Sequence, residues 1–286
     1  MKTRWRLVAL TLLTMACSSE SSVANPEPEA PTPSLPGPPA VGTFAVTGDP
    51  TSQQGATWVY RETLAGVAYD LSGVLKKPVG NGPFPAVIVS HGFGGNARGY
   101  SSNVGAEMVQ WGLVVIAANY THASGATLGS PGLETERGAS VPNVQRATRM
   151  LSLLQSLGYV DMSRVAAHGH SMGAFVTAAL VGANPSAFRA ASHTAGGVRI
   201  AGPQAEAAAP VDSQVITITT PYQMHHGDND TVVPLSMDQQ LASLFSARGR
   251  VHELHVYPGG THNDVPFSRQ MYDRVRAWYR THGVLP

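Results

Sequence analysis

The sequence has little charge and almost no cysteine. Only 13% of its 286 residues are Asp, Glu, Lys or Arg, and Cys17 is the single cysteine. One cysteine excludes a disulfide within the chain. The fold therefore has to be stable through its core, for which 43% hydrophobic residues are ample. The formal net charge of +1 provides no basic surface, so we expect no nucleic-acid partner.

The N-terminal residues have the pattern of an export signal. Three basic residues precede an apolar run at 7–13, which is too short to span a bilayer but has the length of a signal-peptide core. We therefore expect residues 1–24 to be a signal peptide and the protein to be exported. The basic residues are Lys2, Arg4 and Arg6.

Two processing sites fit this signal. The segment before Cys17 resembles the lipobox of bacterial lipoproteins, in which the cysteine is lipidated and becomes the first residue, although Thr14 and Met15 replace its usual leucine and small residue. Cleavage after the Ser-Val-Ala stretch at 22–24 is the alternative. The first site gives a lipoprotein of the bacterial cell envelope with a lipid anchor at Cys17, and the second gives a secreted protein.

A proline-rich segment follows the signal. Residues 25–42 contain the run NPEPEAPTPSLPGPPA, which cannot form a helix or a sheet ladder and should be an extended spacer. We find no internal repeat and no second linker after it. We therefore expect residues 43–286 to be one folded domain, and the protein to be a monomer.

From about residue 43 the sequence alternates between short apolar runs and amphipathic segments. This alternation is typical of an α/β domain with a mainly parallel, twisted sheet and helices on both faces. An antiparallel pair near 58–60 and 67–75 is predicted to precede it. The predicted strands are 85–90, 113–117, 164–168, 222–226 and 251–257, and the predicted helices lie near 100–111, 137–157, 172–183, 235–247 and 268–281.

A Gly-x-Ser-x-Gly motif lies at 169–173, where a predicted strand ends and a helix begins. The glycines avoid side-chain clashes with the adjoining strand and helix, so that the turn can hold Ser171 in a strained conformation. Its hydroxyl then lies at a helix N-terminus, where a developing negative charge is favoured. A turn without a chemical role is the alternative, but this context favours Ser171 as a nucleophile.

A serine nucleophile needs a base that is oriented by a third group. The stretch HHGDNDTVVP at 225–234 follows one predicted strand, and GGTHND at 259–264 follows the last one. An acid on the first loop and a histidine on the second give the order Ser, Asp, His that is described for α/β-hydrolases. Asp228 and Asp230 are the candidate acids, and His262 lies on a Gly-Gly loop that can bend back over Ser171.

Taken together, these motifs make the domain resemble the serine esterases of the α/β-hydrolase superfamily, near the dienelactone-hydrolase-like and polyester-hydrolase (cutinase-like) branches. The resemblance covers essentially the whole domain and implies the α/β-hydrolase fold. The motifs that carry it are PAVIVSHGFGG at 85–95, GHSMG at 169–173, HGDNDTVVP at 226–234 and GGTHND at 259–264.

The resemblance also implies the remaining site residues. The family pattern HGxxDxxVP makes Asp230 the acid and leaves Asp228 as a turn residue. The oxyanion hole should use backbone N–H groups. One is that of Met172, the residue after the nucleophile, and the resemblance implies that of Phe93 as the other, with the Phe93 ring lining the acyl pocket.

The other histidines are expected to have structural roles. His91 should support the loop before Phe93, and His170 should be a packing residue. His252 and His255 lie in a strand pattern, and His282 is near the end of the sequence. A zinc site is the alternative for four of the histidines, but we expect neither a metal nor a cofactor. The four are His225, His226, His252 and His255.

These inferences predict a serine carboxylic-ester hydrolase that acts through an acyl-enzyme. The loops at 119–136 and 198–213 could border the site, but both are too short for a large lid domain, which favours short or accessible esters. The expected partner is therefore a small or polymeric ester. A serine peptidase of the prolyl-oligopeptidase type and a non-catalytic binding module on the same fold are the alternatives.

Two departures from the related families limit the choice of substrate. Dienelactone hydrolases have a cysteine where this chain has Ser171, so their substrate is not carried over. Residues 192–199 read SHTAGGVR and lack the tryptophan that polyester hydrolases commonly have in this region. We therefore do not expect activity on aromatic polyesters.

Overall fold

The structure is a computed structural model that describes residues 42–64, 67–124, 136–201 and 207–286. The predicted signal peptide, Cys17 and nearly all of the proline-rich segment lie outside the described residues. Parts of the loops at 119–136 and 198–213 lie outside them as well. Within the described part of the chain, no helix is long and apolar enough to cross a membrane.

The described residues form one nine-stranded sheet and six α-helices. The strand order is β1-β2-β3-β5-β4-β6-β7-β8-β9. Pairing is antiparallel from β1 to β3 and between β3 and β5, and it is parallel from β5 to β9. The strands are β1 (Phe44–Thr47), β2 (Ala56–Leu64), β3 (Val67–Lys76), β4 (Phe84–Ser90), β5 (Val114–Ala118), β6 (Val160–His170), β7 (Ala190–Thr194), β8 (Tyr222–Gly227) and β9 (His252–Tyr257), and the helices are α1 (Ala97–Gln110), α2 (Val141–Ser156), α3 (Met172–Ala183), α4 (Asp212–Val215), α5 (Leu235–Ser246) and α6 (Arg269–Thr281).

Helices cover both faces of the sheet, as predicted. Successive side chains of a strand point to opposite faces, so a strand buried on both faces is apolar at consecutive positions. In β4, Val87 and Val89 pack with α1 and α6, whereas Ala86 and Ile88 pack with α2, α3 and α5. All four are fully buried. Burial of a side chain of the size of valine or isoleucine contributes about 1.5–3 kcal/mol.

The sequence did not predict strand β7. Its residues, Ala190–Thr194, include only one β-branched residue and no aromatic one, so the local strand pattern is weak. The strand forms because it pairs with β6 on one side and β8 on the other, and all five of its residues are buried. Tertiary pairing therefore determines this element. The antiparallel strands that precede the parallel part of the sheet number three rather than the predicted two, because β1 pairs with β2.

The ends of two helices differ from the prediction. Helix α1 begins at Ala97 because the side chain of Asn96 accepts a hydrogen bond of 2.8 Å from the N–H of Gly99 and caps the helix. Helix α2 begins at Val141 rather than near 137, with Pro142 in its first turn, where the missing N–H has no cost. The four-residue helix α4 has no counterpart in the prediction.

Candidate active site

Three side chains predicted from separate loops meet at the carboxyl edge of the parallel strands. Ser171 follows β6, Asp230 follows β8 and His262 follows β9. His262 Nε2 lies 3.0 Å from Ser171 Oγ, and His262 Nδ1 lies 2.8 Å from Asp230 Oδ2. Because a carboxylate only accepts hydrogen bonds, Nδ1 carries the proton that it donates to Asp230. Nε2 is then free to accept the hydrogen bond from the Ser171 hydroxyl.

The backbone at Ser171 is strained. Its φ is 56° and its ψ is −124°, in the left-handed half of the map that side chains other than glycine rarely adopt. The N–H of Ser171 donates a hydrogen bond of 3.0 Å to the carbonyl oxygen of Thr194, at the end of β7. Helix α3 begins at the next residue, so the positive end of its dipole lies at the hydroxyl.

Both glycines of the motif are required by close packing. A Cβ on Gly169 would lie 2.3 Å from the carbonyl oxygen of Gly173 and 2.4 Å from Thr177 Oγ1. A Cβ on Gly173 would lie 2.0 Å from the carbonyl oxygen of Ser90. Side-chain atoms do not approach backbone oxygens this closely. The turn can therefore lie between β4 and α3 only with glycine at both positions.

Asp230 is held by its own turn. Its Oδ1 accepts hydrogen bonds from the N–H groups of Val232 and Val233, at 2.8 and 2.9 Å, while its Oδ2 accepts the hydrogen bond from His262. Partial burial raises the pKa of Asp230, but these hydrogen bonds outweigh it and lower the pKa below its ordinary value. Asp230 is therefore ionised at neutral pH and oriented towards the histidine.

The alternative acid, Asp228, does not reach the histidine. It is exposed, and its Oδ1 accepts a hydrogen bond of 2.7 Å from the N–H of Gly259 on the following loop. This contact ties the loop after β8 to the loop after β9. Asp228 therefore has the place of a turn residue in the structure.

The turn after β4 that leads to Phe93 lies beside Ser171, and Met172 follows Ser171 in the chain. A Cβ on Gly92 would lie 3.1 Å from Ser171 Cβ, so the turn after β4 is in direct contact with the serine. Neither the N–H of Phe93 nor that of Met172 takes part in a backbone hydrogen bond among the described residues. The Phe93 ring is 58% exposed and lies beneath the guanidinium of Arg137, at 4.7 Å.

His91 and His122 support the turn after β4. His91 Nδ1 donates to the carbonyl oxygen of Gly92 at 2.9 Å, and its Nε2 accepts from the N–H of Tyr120 at 3.3 Å. His122 Nε2 donates to the carbonyl oxygen of His91 at 3.1 Å, and the N–H of Gly94 donates to the carbonyl oxygen of His122 at 3.0 Å. Burial lowers the pKa of His91 to about 3 and that of His122 to about 4. Both rings are therefore neutral supports.

His170 packs against the histidine of the site. The two ring centroids are 4.8 Å apart, and His170 Nδ1 is 2.9 Å from Thr194 Oγ1. Burial, together with the neighbouring His262, lowers the pKa of His170 to about 3. Two of the alternative histidines lie elsewhere, since His255 contacts Glu253 and the ring of His282 packs edge-to-face against Trp278.

The sequence reasoning missed a buried polar group of three residues behind Asp230. His226 Nδ1 lies 2.7 Å from Asp238 Oδ2, and His193 Nε2 lies 2.7 Å from Asp238 Oδ1. All three residues are fully buried. Asp238 is a polar residue on the core side of an amphipathic helix, and this mismatch is the sequence signal that could have drawn attention to it.

The histidines considered for a zinc site do not come together as a ligand set. His225 and His255 stack with their ring centroids 5.2 Å apart, but His226 faces Asp238 instead. Within the described ranges, no group of three or more His, Cys, Asp or Glu side chains is placed to hold a metal ion.

Comparison with known sequences identifies one matching family. The sequence model of the dienelactone hydrolase family matches residues 71–282, from β3 to the end of α6. A comparison with curated proteins finds no match. The matched range includes all the residues of the site described above.

Solved structures share the fold at low sequence identity. An S-formylglutathione hydrolase from Agrobacterium tumefaciens is 16% identical, with 84% of this chain and 99% of that chain covered and a TM-score of 0.61. The esterase Est2 from Thermogutta terrifontis is 16% identical, with 79% and 94% covered and a TM-score of 0.58.

Peptidases share the fold as well. An acylaminoacyl peptidase from Pyrococcus horikoshii is 13% identical, with 85% of this chain and 42% of that chain covered and a TM-score of 0.61. This chain spans between 36% and 46% of the length of four matched structures that are named as peptidases. Likeness at this level of identity shows that the chain has the α/β-hydrolase fold.

Proposed function

We propose that this chain, which belongs to the dienelactone hydrolase family, is a serine hydrolase of carboxylic esters. The predicted resemblance to this family is confirmed, whereas its cutinase-like branch stays a prediction. The observation that carries the proposal is the continuous hydrogen-bonded arrangement from Ser171 through His262 to Asp230, with distances of 3.0 and 2.8 Å. The strained backbone of the serine supports it further, because such strain is concentrated at functional sites.

The first half of the proposed reaction acylates the enzyme. Ser171 Oγ attacks the carbonyl carbon of the ester while His262 Nε2 takes the hydroxyl proton. The carbonyl oxygen becomes an oxyanion, which the N–H groups of Phe93 and Met172 stabilise at the N-terminus of α3. His262 then gives its proton to the alkoxide that leaves, and the tetrahedral intermediate collapses to the acyl-enzyme.

The second half returns the free enzyme. A water molecule gives a proton to His262 Nε2 and attacks the acyl carbon, and the proton passes back to Ser171 Oγ as the acid is released. Throughout both halves, ionised Asp230 keeps Nδ1 protonated and stabilises the imidazolium that forms twice.

The test is the hydrolysis of chromogenic acetate and butyrate esters by the wild type and by Ser171→Ala. We expect the variant to lose activity by at least about 10³-fold, because the nucleophile is gone, while its circular dichroism spectrum stays that of the wild type. Full activity in the variant would refute the assignment. His282→Ala, which replaces a histidine remote from the site, is the matched control and should retain the wild-type rate.

A panel of substrates separates ester hydrolysis from the peptidase alternative. The panel should contain esters of increasing acyl length, aminoacyl p-nitroanilides and an aromatic polyester film. We expect kcat/KM to be highest for the short esters, and to be negligible for the anilides and the film. A preference for the anilides would make the protein a peptidase with the same set of residues. Activity against no member of the panel would favour the binding module.

A further inference from the structure

The hydrogen bonds of His226 require two protons on its ring. Nδ1 lies 2.7 Å from a carboxylate oxygen of Asp238, and Nε2 lies 2.9 Å from the carbonyl oxygen of Val233. A carboxylate and a carbonyl oxygen can only accept hydrogen bonds. A neutral ring would therefore turn a lone pair towards one of these oxygens. His226 is fully buried, so no water relieves this conflict at its surface.

The charge of Asp238 points to the same protonation state. Asp238 is fully buried, and a buried carboxylate requires a compensating cation. Its other neighbour, His193, has its second nitrogen 3.0 Å from the Tyr222 hydroxyl, which can donate to a neutral ring. Burial lowers the pKa of His226, but Asp238 outweighs it and raises the pKa. The cation of this group is therefore His226.

We propose that His226 is a buried imidazolium that positions the catalytic carboxylate Asp230 and keeps it ionised. Nε2 of His226 lies 3.5 Å from Asp230 Oδ2, the oxygen that accepts the hydrogen bond from His262. Val233 links the same residues through the backbone, because its carbonyl oxygen accepts from His226 and its N–H donates to Asp230 Oδ1. The inference rests on the proposed function, since it gives Asp230 a role in the reaction.

This arrangement predicts a pH effect of defined sign. The titratable groups that face His226 are Asp238 on α5, Asp230 on the loop after β8, His170 at the end of β6 and, through Asp238, His193 on β7. Loss of the positive charge of His226 makes the pair of Asp230 and His262 easier to protonate. The acid limb of kcat/KM should therefore move to higher pH by about one unit.

The protonation state is measured directly by NMR on the wild-type protein. Two-bond ¹⁵N–¹H correlation spectra report the protons on each histidine ring, and the signals of His226 are those that His226→Gln lacks. We expect both nitrogens to be protonated at neutral pH. A single protonated nitrogen at neutral pH would overturn the proposal. This measurement needs no substrate, so its outcome is independent of the proposed function.

The positioning role is measured by kinetics on three variants. His226→Gln should move the acid limb of kcat/KM up by about one pH unit. The double variant His226→Gln with Asp238→Asn removes both charges, so it should be more stable than the single variant. In the double variant, we expect the acid limb of kcat/KM to stay at a higher pH than in the wild type. The matched control is His225→Gln, because His225 is buried on the same strand but contacts Tyr257 and Gln223.

The outcomes separate electrostatic positioning from a structural role and from a wrong function. An acid limb that stays at the wild-type midpoint in His226→Gln overturns the proposal. A double variant that recovers both stability and the wild-type pH profile also overturns it, because only packing was then lost. Should Ser171→Ala retain ester hydrolysis, the proposed function fails, while the NMR result on the charge of His226 still stands.

Discussion

Replacement of Ser171 by glycine should give a more stable protein than replacement by alanine. Both variants lose the hydroxyl and its hydrogen bond to His262, so their difference isolates the backbone. A residue with a side chain at φ 56° and ψ −124° costs about 1–3 kcal/mol, which glycine avoids. The glycine variant also has a more flexible unfolded chain, which lowers its stability relative to the alanine variant by about 0.4–1 kcal/mol. With the midpoints of these two ranges, a net difference of about 1.3 kcal/mol remains.

The difference is measured by thermal unfolding of the two variants at one pH. For a domain of this size, about 1.3 kcal/mol corresponds to a Tm that is roughly 3–5 °C higher in Ser171→Gly. The matched control is Ala174→Gly in the first turn of α3, where φ has its ordinary sign and glycine should lower stability by about 0.5–1 kcal/mol. A Ser171→Gly protein no more stable than Ser171→Ala would refute the assigned strain.

Three further predictions follow from the site. Asp230→Asn should lower kcat/KM by about 10⁴-fold, because the histidine then loses its orientation and its counter-ion, whereas Asp228→Asn should lower it by less than about tenfold. The reverse order in steady-state assays would make Asp228 the acid. Gly173→Ala should give little folded protein, since its Cβ would lie 2.0 Å from the carbonyl oxygen of Ser90, and wild-type yield and Tm would contradict this packing. Burial raises the pKa of Asp238, but its two histidine partners outweigh burial and lower it. Its stabilising contribution is therefore complete above about pH 4 and is lost as the pH falls towards its folded-state pKa. Asp238→Asn should flatten the decline in the free energy of unfolding between about pH 4 and pH 2 in urea titrations, and an unchanged slope would exclude this contribution.

The sequence predicted the residues that meet in the candidate site because each one follows a strand. Ser171, Asp230 and His262 come directly after predicted strands, and the carboxyl ends of parallel strands share one edge of a sheet. Local patterns therefore indicated which loops meet, although these loops hold residues that are up to 91 positions apart in the chain. The choice of Asp230 over Asp228 rested on the resemblance to the family. The distances between these side chains came from the structure alone.

The pair of His226 and Asp238 shows what local patterns leave out. His226 belongs to a strand and a known motif, and Asp238 is a polar residue on the core side of an amphipathic helix. The mismatch at Asp238 does not by itself show that a cation is required. The requirement for a cation arises only when α5 packs on β8 and buries the carboxylate completely. A charge requirement that tertiary burial creates cannot be inferred from spacing along the chain.

Strand β7, which the sequence did not predict, contacts Ser171, the nucleophile that the sequence did predict. The carbonyl oxygen of Thr194, the last residue of β7, accepts the hydrogen bond from the N–H of Ser171, and its hydroxyl contacts His170. The next residue, Ala195, also has a positive φ and donates its N–H to the carbonyl oxygen of His225 on β8. A strained conformation persists only where its surroundings hold it in place. Strand β7 has a weak sequence pattern of its own, yet its position between β6 and β8 supplies the contacts that hold the serine in its strained turn.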